Sequence, residues 1–540
     1  MKKIKIILSL SFIMISLLSF SQILSKDFKV SVAKPYKVID AGSKEYLSLD
    51  NGTVIMVKMG KGIVHIQKFD VNKMQEISRT EYKDLPKGAI FQALVKLQNK
   101  VYYIYQVYNK KNKNYDVYSR EINTTTAKFE TPKKIITTSR KVVNSPRPID
   151  ITAKGTGSFM GLKGYKFKTY KSFDNTKLMI KYRLRPINKD DKINYDEIGF
   201  YVFDNNMEKL WGKEYKMPYT EAQINNIAYA VSNKGNALML IANREKKEYQ
   251  LFNIDKDKLT QHNLGISTDK LIRKLEIKEK KDGKFICGGF YANGIEFKMS
   301  FSGGTFMINI NGLIYFVMDN QGNVSNLNTF DFTKDFIKQN LSDRQKKKID
   351  TREAKGKAGI ENLALIKFII KDNGSAYFVG ERQWTRKEFY GTSQQYVTHL
   401  SNVIVIKINN DGSLGWMKKL AKNQAGINGA GQMGIAYMEG KNADYVAYID
   451  NPKNIALDAN GGVPSAHKDG LGGYLTTYKI NHKDGNLTKH TICDMKNIKG
   501  YRAYQFKPYR IFKAAEGTFL MEIYIKKKQD TMVKFELQNQ

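Results

Sequence analysis

The chain has 540 residues, and its 41% hydrophobic and 12% aromatic content is enough to bury a sizeable core and excludes a disordered protein. Its 89 Lys and Arg residues exceed its 52 Asp and Glu residues, and the formal net charge of +37 favours anionic partners. With 10 prolines in the whole chain, no proline-rich linker divides it.

The first residues predict a secretory signal peptide. Lys2, Lys3 and Lys5 precede an apolar run at residues 6–18, and Ser19-Phe20-Ser21 provides small residues for cleavage before Gln22. The alternative, an uncleaved anchor, needs a span of about 20 apolar residues, which this run does not reach. We therefore expect residues 1–21 to be removed, the mature chain to lack a transmembrane segment, and the protein to be exported, periplasmic or outer-membrane-associated.

A hairpin recurs seven times along the rest of the chain. Each copy is a short alternating strand, a polar turn and a second strand, as in HIQKFDVNKMQEISRTEY and VIVIKINNDGSLGWMKKL. The seven turns begin at Asp70, Asn123, Asp204, Asp255, Asp319, Asn409 and Asn481. A unit repeated over a whole chain predicts a repeat architecture.

A second class of strand pair alternates with these hairpins. Its turns include Asn51-Gly52, Asp282-Gly283 and Asn373-Gly374, where both positions accept positive φ at low cost. One pair of each class makes a four-stranded unit, so residues 22–540 are predicted to form one all-β domain, a β-propeller of seven or eight four-stranded blades with loop and short-helix insertions. The alternatives are a β-sandwich pair or two separate β domains.

The two ends of the chain complement each other. The last strand, TMVKFELQ, lacks a partner, and FKVSVAKPYKVI near the mature N-terminus can supply one. Such pairing would close the ring and protect the last sheet edge. With this composite unit the count is eight blades.

Four segments interrupt the repeat. Residues 331–362 predict a short amphipathic helix followed by a basic loop, because Phe332, Phe336, Ile337 and Leu341 recur at helical spacing. Long loops are expected at residues 381–399, 421–432 and 450–473, and long loops on a rigid scaffold often carry function.

Recognisable catalytic motifs are missing from the sequence. It contains no nucleophile elbow, no P-loop and no nucleic-acid-binding module, and GAGQMG at residues 429–434 does not sit between a strand and a helix. The six histidines show no zinc spacing, although His399 and His467 fall in expected loops. We therefore predict no catalytic residues, no metal, no cofactor and no nucleic-acid partner.

Two smaller questions stay open at this point. Asp450, Asp458, Asn460 and Asp469 share one Gly-rich loop that calcium can use, but the loop lacks the EF-hand pattern and is more typical of a turn. The chain has two cysteines, Cys287 and Cys493, and they either pair or remain buried thiols.

One aromatic and basic segment stands out as a binding candidate. Arginine beside tryptophan or tyrosine suits protein hot spots, sugar stacking and phosphate contacts. The alternative is a Trp that packs over its own blade. The candidate binding residues are Arg382, Trp384, Arg386, Phe389 and Tyr390.

The leader KKIKIILSL, the strands IKINNDGSLGWMKKL and the hairpin DNGSAYFVGER resemble the large exported propeller-like proteins of gliding, type IX-secreting bacteria. That group includes a plug subunit of the type IX outer-membrane translocon. The resemblance implies a non-catalytic propeller that binds a protein partner, such as an outer-membrane barrel. The alternative is an enzyme or binding protein that acts on anionic glycans in the propeller funnel.

Overall fold

The computed structural model describes residues 25–143, 165–188, 190–300, 303–390, 393–427, 432–468 and 472–538. The predicted signal peptide lies outside these residues. In the described part of the chain the strands form eight sheets of four or five strands and one sheet of three strands. The eight larger sheets are the blades of a β-propeller, which confirms the predicted fold class and the count that included a composite blade.

The first half of the chain builds four blades in sequence. The two strands that precede them belong to the last blade and are β1 (Phe28–Val32) and β2 (Tyr36–Lys37). Blade one contains β3 (Ser43–Ser48), β4 (Thr53–Gly60), β5 (Ile63–Asp70) and β6 (Gln75–Tyr82). Blade two contains β7 (Ile90–Leu97), β8 (Lys100–Asn109), β9 (Asn114–Asn123), β10 (Lys128–Phe129) and β11 (Lys133–Thr137). Blade three contains β12 (Lys168–Lys171), β13 (Lys177–Arg183), β14 (Tyr195–Asp204) and β15 (Lys209–Thr220). Blade four contains β16 (Ile224–Val231), β17 (Ala237–Asn243), β18 (Glu248–Asp255) and β19 (Lys258–Ser267).

Blade five carries two insertions. It starts with β20 (Leu271–Glu279) and β21 (Phe285–Ala292), is interrupted by the hairpin β22 (Ile295–Ser300) and β23 (Gly303–Ile310), and ends with β24 (Gly312–Met318) and β25 (Val324–Asp331). Two helices follow, α1 (Lys334–Lys338) and α2 (Asp343–Glu353), and then β26 (Ile360–Glu361), which pairs with β23.

The last three blades complete the ring. Blade six contains β27 (Leu363–Ile370), β28 (Ala376–Tyr390), β29 (Ser393–Ile408) and β30 (Leu414–Ile427). Blade seven contains β31 (Ala436–Glu439) and β32 (Ala443–Asp450), and after the short strand β33 (His467–Lys468), which joins blade six, β34 (Tyr474–Asn481) and β35 (Leu487–Asp494). Blade eight contains β36 (Phe512–Ala515), β37 (Thr518–Tyr524) and β38 (Gln529–Leu537), with β1 as its outer strand.

The second strands of the blades are buried on both faces, as their continuous apolar runs predict. Every residue of β17 and β21 is buried, and so are the first six of β4. The apolar clusters join neighbouring blades. One cluster, for example, packs Val379 of blade six against Val446 and Tyr448 of blade seven. The core therefore consists of layers between adjacent sheets.

The first strands of the blades surround the propeller axis. Contacts join β36, β3, β7, β12, β16, β20 and β27 in that order, and β31 contacts β36. Ion pairs to Glu439 from Lys367 on β27 and from Lys371, directly after this strand, connect β27 with β31. The ring of first strands is therefore closed.

The N-terminal strand supplies the final edge, as expected. Strand β1 pairs antiparallel with β38 from Phe28 opposite Leu537 to Val32 opposite Val533. The joint also contains a buried charge cluster, in which Glu522 and Asp530 of blade eight meet Lys44 and Lys58 of blade one.

The two faces of the ring differ, because strands within a blade are antiparallel and alternate connections lie on opposite faces. One face carries tight turns, including all seven polar turns of the repeated hairpins. Five of the seven turn side chains accept from nearby backbone N–H groups, as when Asp70 Oδ1 accepts from the N–H groups of Asn72 and Lys73. The other face, called here the insertion face, carries hairpin β22–β23, the helices and the long connection after β32.

Three expectations about the interruptions were wrong. Residues 381–399 are not a loop, because they lie in β28 and β29, and residues 421–427 belong to β30, while 428–431 lie outside the described residues. The basic half of 331–362 forms helix α2 rather than a loop. Polar and charged residues alternate along these long strands, and such a pattern is hard to distinguish from a loop without the neighbouring strand.

Candidate functional site

Blade six extends beyond its neighbours on the insertion face. Strands β28, β29 and β30 have 15, 16 and 14 residues. Residue pairing between β28 and β29 continues to Tyr390 opposite Ser393, and β30 follows β29 as far as Ile427 opposite Val397. The three strands form a platform above the core of the blade, and one face of this platform is the floor of a cleft.

Trp384 is fixed at the centre of the cleft floor. It lies opposite His399 in the β28–β29 register, and the two rings stack with centroids 4.8 Å apart and an interplanar angle of 5°. The guanidinium of Arg382, two residues earlier on the same face of the strand, lies 4.4 Å from the indole centroid. The indole is therefore already in contact with two groups of its own sheet, which leaves little of its π-surface for a sugar ring.

Arg382 and Arg386 each form an ion pair with a carboxylate. Arg382 Nη2 lies 3.0 Å from Glu361 Oε2, and Arg386 Nε lies 2.5 Å from Glu388 Oε1. These pairs position the guanidinium groups and reduce their net charge, so the cleft floor is less cationic than its arginines alone suggest.

The surroundings of His399 favour its neutral form. Burial lowers the pKa of its imidazole, the Arg386 charge lowers it further, and the weak contact with Glu388 at 3.4 Å only partly offsets these effects. The ring therefore serves the cleft as an aromatic surface and a neutral hydrogen-bonding group.

The helical insertion builds one wall of the cleft. Buried Lys419 on β30 donates from Nζ to the carbonyl oxygens of Ile337 at 2.8 Å and Phe336 at 3.4 Å, which lie at the end of α1. Asn340 Nδ2 donates to the Lys419 carbonyl at 3.2 Å. These bonds bring Asn340, Leu341 and Gln345 to the cleft.

The connection after β32 builds the opposite wall. Strand β33 pairs in parallel with β30 at Gln424 and Ala425, and Asn423 Nδ2 donates to the Pro464 carbonyl at 3.1 Å. Val463, which is 53% exposed, and Lys468 line this side. Ile427 on the floor is 37% exposed.

The cleft has a volume of about 590 Å³. It contains three of the five residues predicted from the sequence, Arg382, Trp384 and Arg386. Phe389 and Tyr390 continue β28 towards the tip of the hairpin, and their side chains lie outside the described part of the structure. The two walls come from distant segments that no local pattern connects with Trp384.

The two loop histidines do not converge at the propeller axis. His399 lies on the third strand of blade six and His467 on the added strand β33 of the same sheet, so neither belongs to a first strand. Neither histidine therefore lies on the strands around the propeller funnel, where the glycan alternative would have its site.

The loop considered for calcium holds its buried carboxylate with protein groups. Asp450 Oδ2 lies 2.9 Å from Lys489 Nζ, and Asp450 Oδ1 accepts from the Asn454 side chain at 2.7 Å. Asp469 lies outside the described residues. Within the described ranges, no group of three or more His, Cys, Asp or Glu side chains comes together to hold a metal ion.

The two cysteines belong to different blades. Cys287 lies in blade five and Cys493 in blade seven, and both are buried free thiols. Burial raises the pKa of both thiols, which makes them unreactive.

Among the described residues, neither helix has the length and apolar character that a membrane span requires.

Comparisons with known proteins return distant propellers. No protein-family model matches the chain, and no curated protein matches it. A solved structure of the β-propeller domain of the Trilobed protease from Pyrococcus furiosus is 10% identical, with 84% of this chain and 97% of that chain covered and a TM-score of 0.33. The WD40 domain of SCAP from fission yeast is 6% identical, with 96% and 97% covered and a TM-score of 0.34.

A polysaccharide lyase of family PL25, an ulvan lyase, is 9% identical over 92% of this chain and 95% of that chain, with a TM-score of 0.36. Proteases, a WD40 domain and a lyase thus all resemble this chain to a similar small degree. The fold is assigned from the sheets of this chain itself. The activities of the similar proteins are not transferred to it, because one fold carries many functions.

Proposed function

We propose that this protein is a non-catalytic, exported binding protein that holds a partner protein at the blade-six cleft. The observation that carries the proposal is the pre-built cleft itself. Its floor and both walls are tied together by hydrogen bonds and ion pairs, and it displays Ile427 and Val463 beside Arg386. Exposed apolar residues next to an arginine and a tryptophan are typical of protein-binding hot spots.

The surroundings of the cleft favour an acidic partner. Helix α2 stands beside it with no buried residue, and Arg344, Lys347 and Lys348 are exposed. The net charge of +37 adds a long-range attraction for anionic surfaces. We infer that the partner presents an apolar side chain for the cleft and acidic residues for α2.

The predicted leader and the resemblance to exported propellers of type IX-secreting bacteria support a partner in the cell envelope. A subunit of an outer-membrane assembly, such as a barrel, would meet a periplasmic propeller through one face. The insertion face carries the extended strands of blade six and the basic helix α2, which suit that contact. The opposite face carries short turns.

Affinity capture from solubilised envelope tests the proposal. The tagged mature protein is expected to recover one membrane protein in stoichiometric amount. Arg386→Glu reverses a charge in the cleft and is expected to reduce recovery at least tenfold, or about 1.4 kcal/mol. The matched control Lys73→Glu reverses an exposed charge in a tight turn on the opposite face and is expected to leave recovery unchanged.

Two results would count against the proposal. Equal recovery by Arg386→Glu and Lys73→Glu would remove the cleft as the contact. Recovery of the propeller alone from every envelope fraction would favour a soluble ligand such as an anionic glycan, which glycan screening would then identify.

A further inference from the structure

Lysines on the first strands approach the propeller axis from several blades. Four of them donate to carbonyl groups of a neighbouring first strand, which has no sheet partner on its inner edge. The bonds run from Lys96 to Ser48, from Lys171 to Lys96, from Lys274 to Leu365 and from Lys278 to Phe368. These four lysines have a structural explanation.

Two lysines of blade three have no such explanation. Lys168 on β12 and Lys181 on β13 lie directly opposite each other, so both side chains leave the same face of the sheet. Within the described residues neither ammonium group has a carboxylate or a hydrogen-bond acceptor in contact. Like charges directly opposite in a sheet are destabilising.

The surroundings of the pair add positive charge and aromatic surface. Lys181 is buried, with its Nζ 4.3 Å from the ring centroid of Tyr229, which in turn lies 5.9 Å from Tyr170. Lys274 of blade five lies close enough to lower the pKa of Lys168, although burial of Lys168 is the larger cause.

The nearby carboxylates are engaged with other groups. Asp196 lies 2.5 Å from Arg183 Nε and accepts from Asn226 Nδ2 at 2.8 Å. Glu276 lies 3.1 Å from Lys274. Lys168 and Lys181 therefore keep an excess of positive charge beside the axis.

We propose that Lys168 and Lys181 form a binding site for a tetrahedral oxyanion, the phosphate or sulfate group of a small molecule that enters along the propeller axis. Such an anion would lie between the opposed ammonium groups and replace their repulsion by charge-assisted hydrogen bonds. Lys168 is half-buried on a first strand, so its side chain remains partly accessible to solvent. The site is separate from the blade-six cleft and does not depend on the proposed function.

Anion binding is expected to bring protons with it. Burial lowers the pKa of Lys181 to about 7, so part of the unliganded protein holds a neutral amine at neutral pH. A bound oxyanion raises that pKa and protonates the amine. Calorimetric titrations in buffers of different ionisation enthalpy should therefore show proton uptake at pH 7.5.

The decisive experiment is calorimetric titration of the mature protein with sodium pyrophosphate and, separately, sodium sulfate at about 150 mM NaCl, where exposed charges are largely screened. We expect saturable binding of at least one anion. Lys168→Gln is expected to weaken it at least tenfold, and the control Lys209→Gln, an exposed lysine on the outer strand of the same blade, to leave it unchanged. Tighter binding of pyrophosphate would indicate a phosphate ester, and tighter binding of sulfate a sulfated sugar.

Stability without anion gives a second readout. Removal of one of two opposed charges is expected to leave the melting temperature of Lys168→Gln equal to or above that of the wild type, so loss of binding cannot be attributed to unfolding. No saturable binding of either anion, or equal binding by Lys168→Gln and Lys209→Gln, would overturn the proposal. In that case Lys181 is a buried neutral amine.

Discussion

At the scale of single residues, the closing joint of the ring depends on one buried carboxylate. Glu522 accepts from the hydroxyls of Tyr36 at 2.7 Å and Tyr46 at 2.9 Å, and from the ammonium groups of Lys44 and Lys58. The two lysines outweigh burial and lower the pKa of Glu522 to about 2. A buried charge with four donors stabilises the fold only while all its partners remain.

We predict that Glu522→Gln lowers the free energy of unfolding by about 3 kcal/mol at pH 7. A carboxylate with a depressed pKa contributes stability that is present above its unfolded pKa near 4.5 and is lost as pH falls towards the folded pKa near 2. The difference from the wild type should therefore shrink across that window. Urea unfolding at several pH values measures it, with Glu516→Gln, an exposed glutamate in the β36–β37 turn, as the control. A difference that does not change with pH would contradict the assigned ionisation.

At the scale of elements, the helical insertion is attached by an apolar cluster that includes Phe336 and Ile337 and by a few polar bonds to blade six. Helix α1 buries Phe336 and Ile337, whereas α2 buries no residue, so α2 depends on its neighbours for its position. Lys419 connects the end of α1 to β30, and burial lowers the pKa of Lys419 to about 7. The wall of the cleft is thus held by a lysine that is only partly charged at neutral pH.

We predict that Lys419→Met loosens the helices without unfolding the propeller. The change leaves the carbonyls of Phe336 and Ile337 without their donor, at a cost of about 1–3 kcal/mol. Trypsin should then cleave the basic helix α2 several times faster than in the wild type. Lys418→Met, on the opposite face of the same strand, is the control, and equal cleavage of both variants would show that Lys419 does not hold the wall.

At the scale of the whole molecule, eight sheets form one closed ring because the chain ends share blade eight. Phe28 on the N-terminal strand β1 packs edge-on against Tyr445 of blade seven, with ring centroids 5.0 Å apart. Strand β1 therefore pairs with β38 inside blade eight and also packs against blade seven. The insertions lie on one face of the closed ring, where they build the walls of the blade-six cleft.

We predict that Phe28→Ala destabilises the entire protein by about 3–5 kcal/mol, as expected for loss of a large buried aromatic side chain. Lys29→Ala, an exposed position on the same strand, should cost less than about 0.5 kcal/mol. Denaturant unfolding followed by tyrosine fluorescence and by circular dichroism distinguishes the two. If both variants unfold like the wild type, β1 does not secure the ring.

Much of the fold follows from local patterns in the sequence. The seven hairpins, the Asn-Gly and Asp-Gly turns and the apolar second strands each depend on neighbours in the chain, and they predict four-stranded units and their number. The pairing of the chain ends also follows, because one strand at each end lacks a local partner.

The cleft, in contrast, was decided by tertiary structure. Arg382, Trp384 and Arg386 were selected by residue type, but the long strands that display them resembled loops because only the paired strand shows which residues share a face. Their carboxylate partners Glu361 and Glu388, and the wall residues near Asn340 and Val463, meet them through packing of distant segments. The opposed Lys168 and Lys181 likewise follow from strand register. Local periodicity therefore determined the elements and the ring, whereas the contacts between segments far apart in the chain determined the sites.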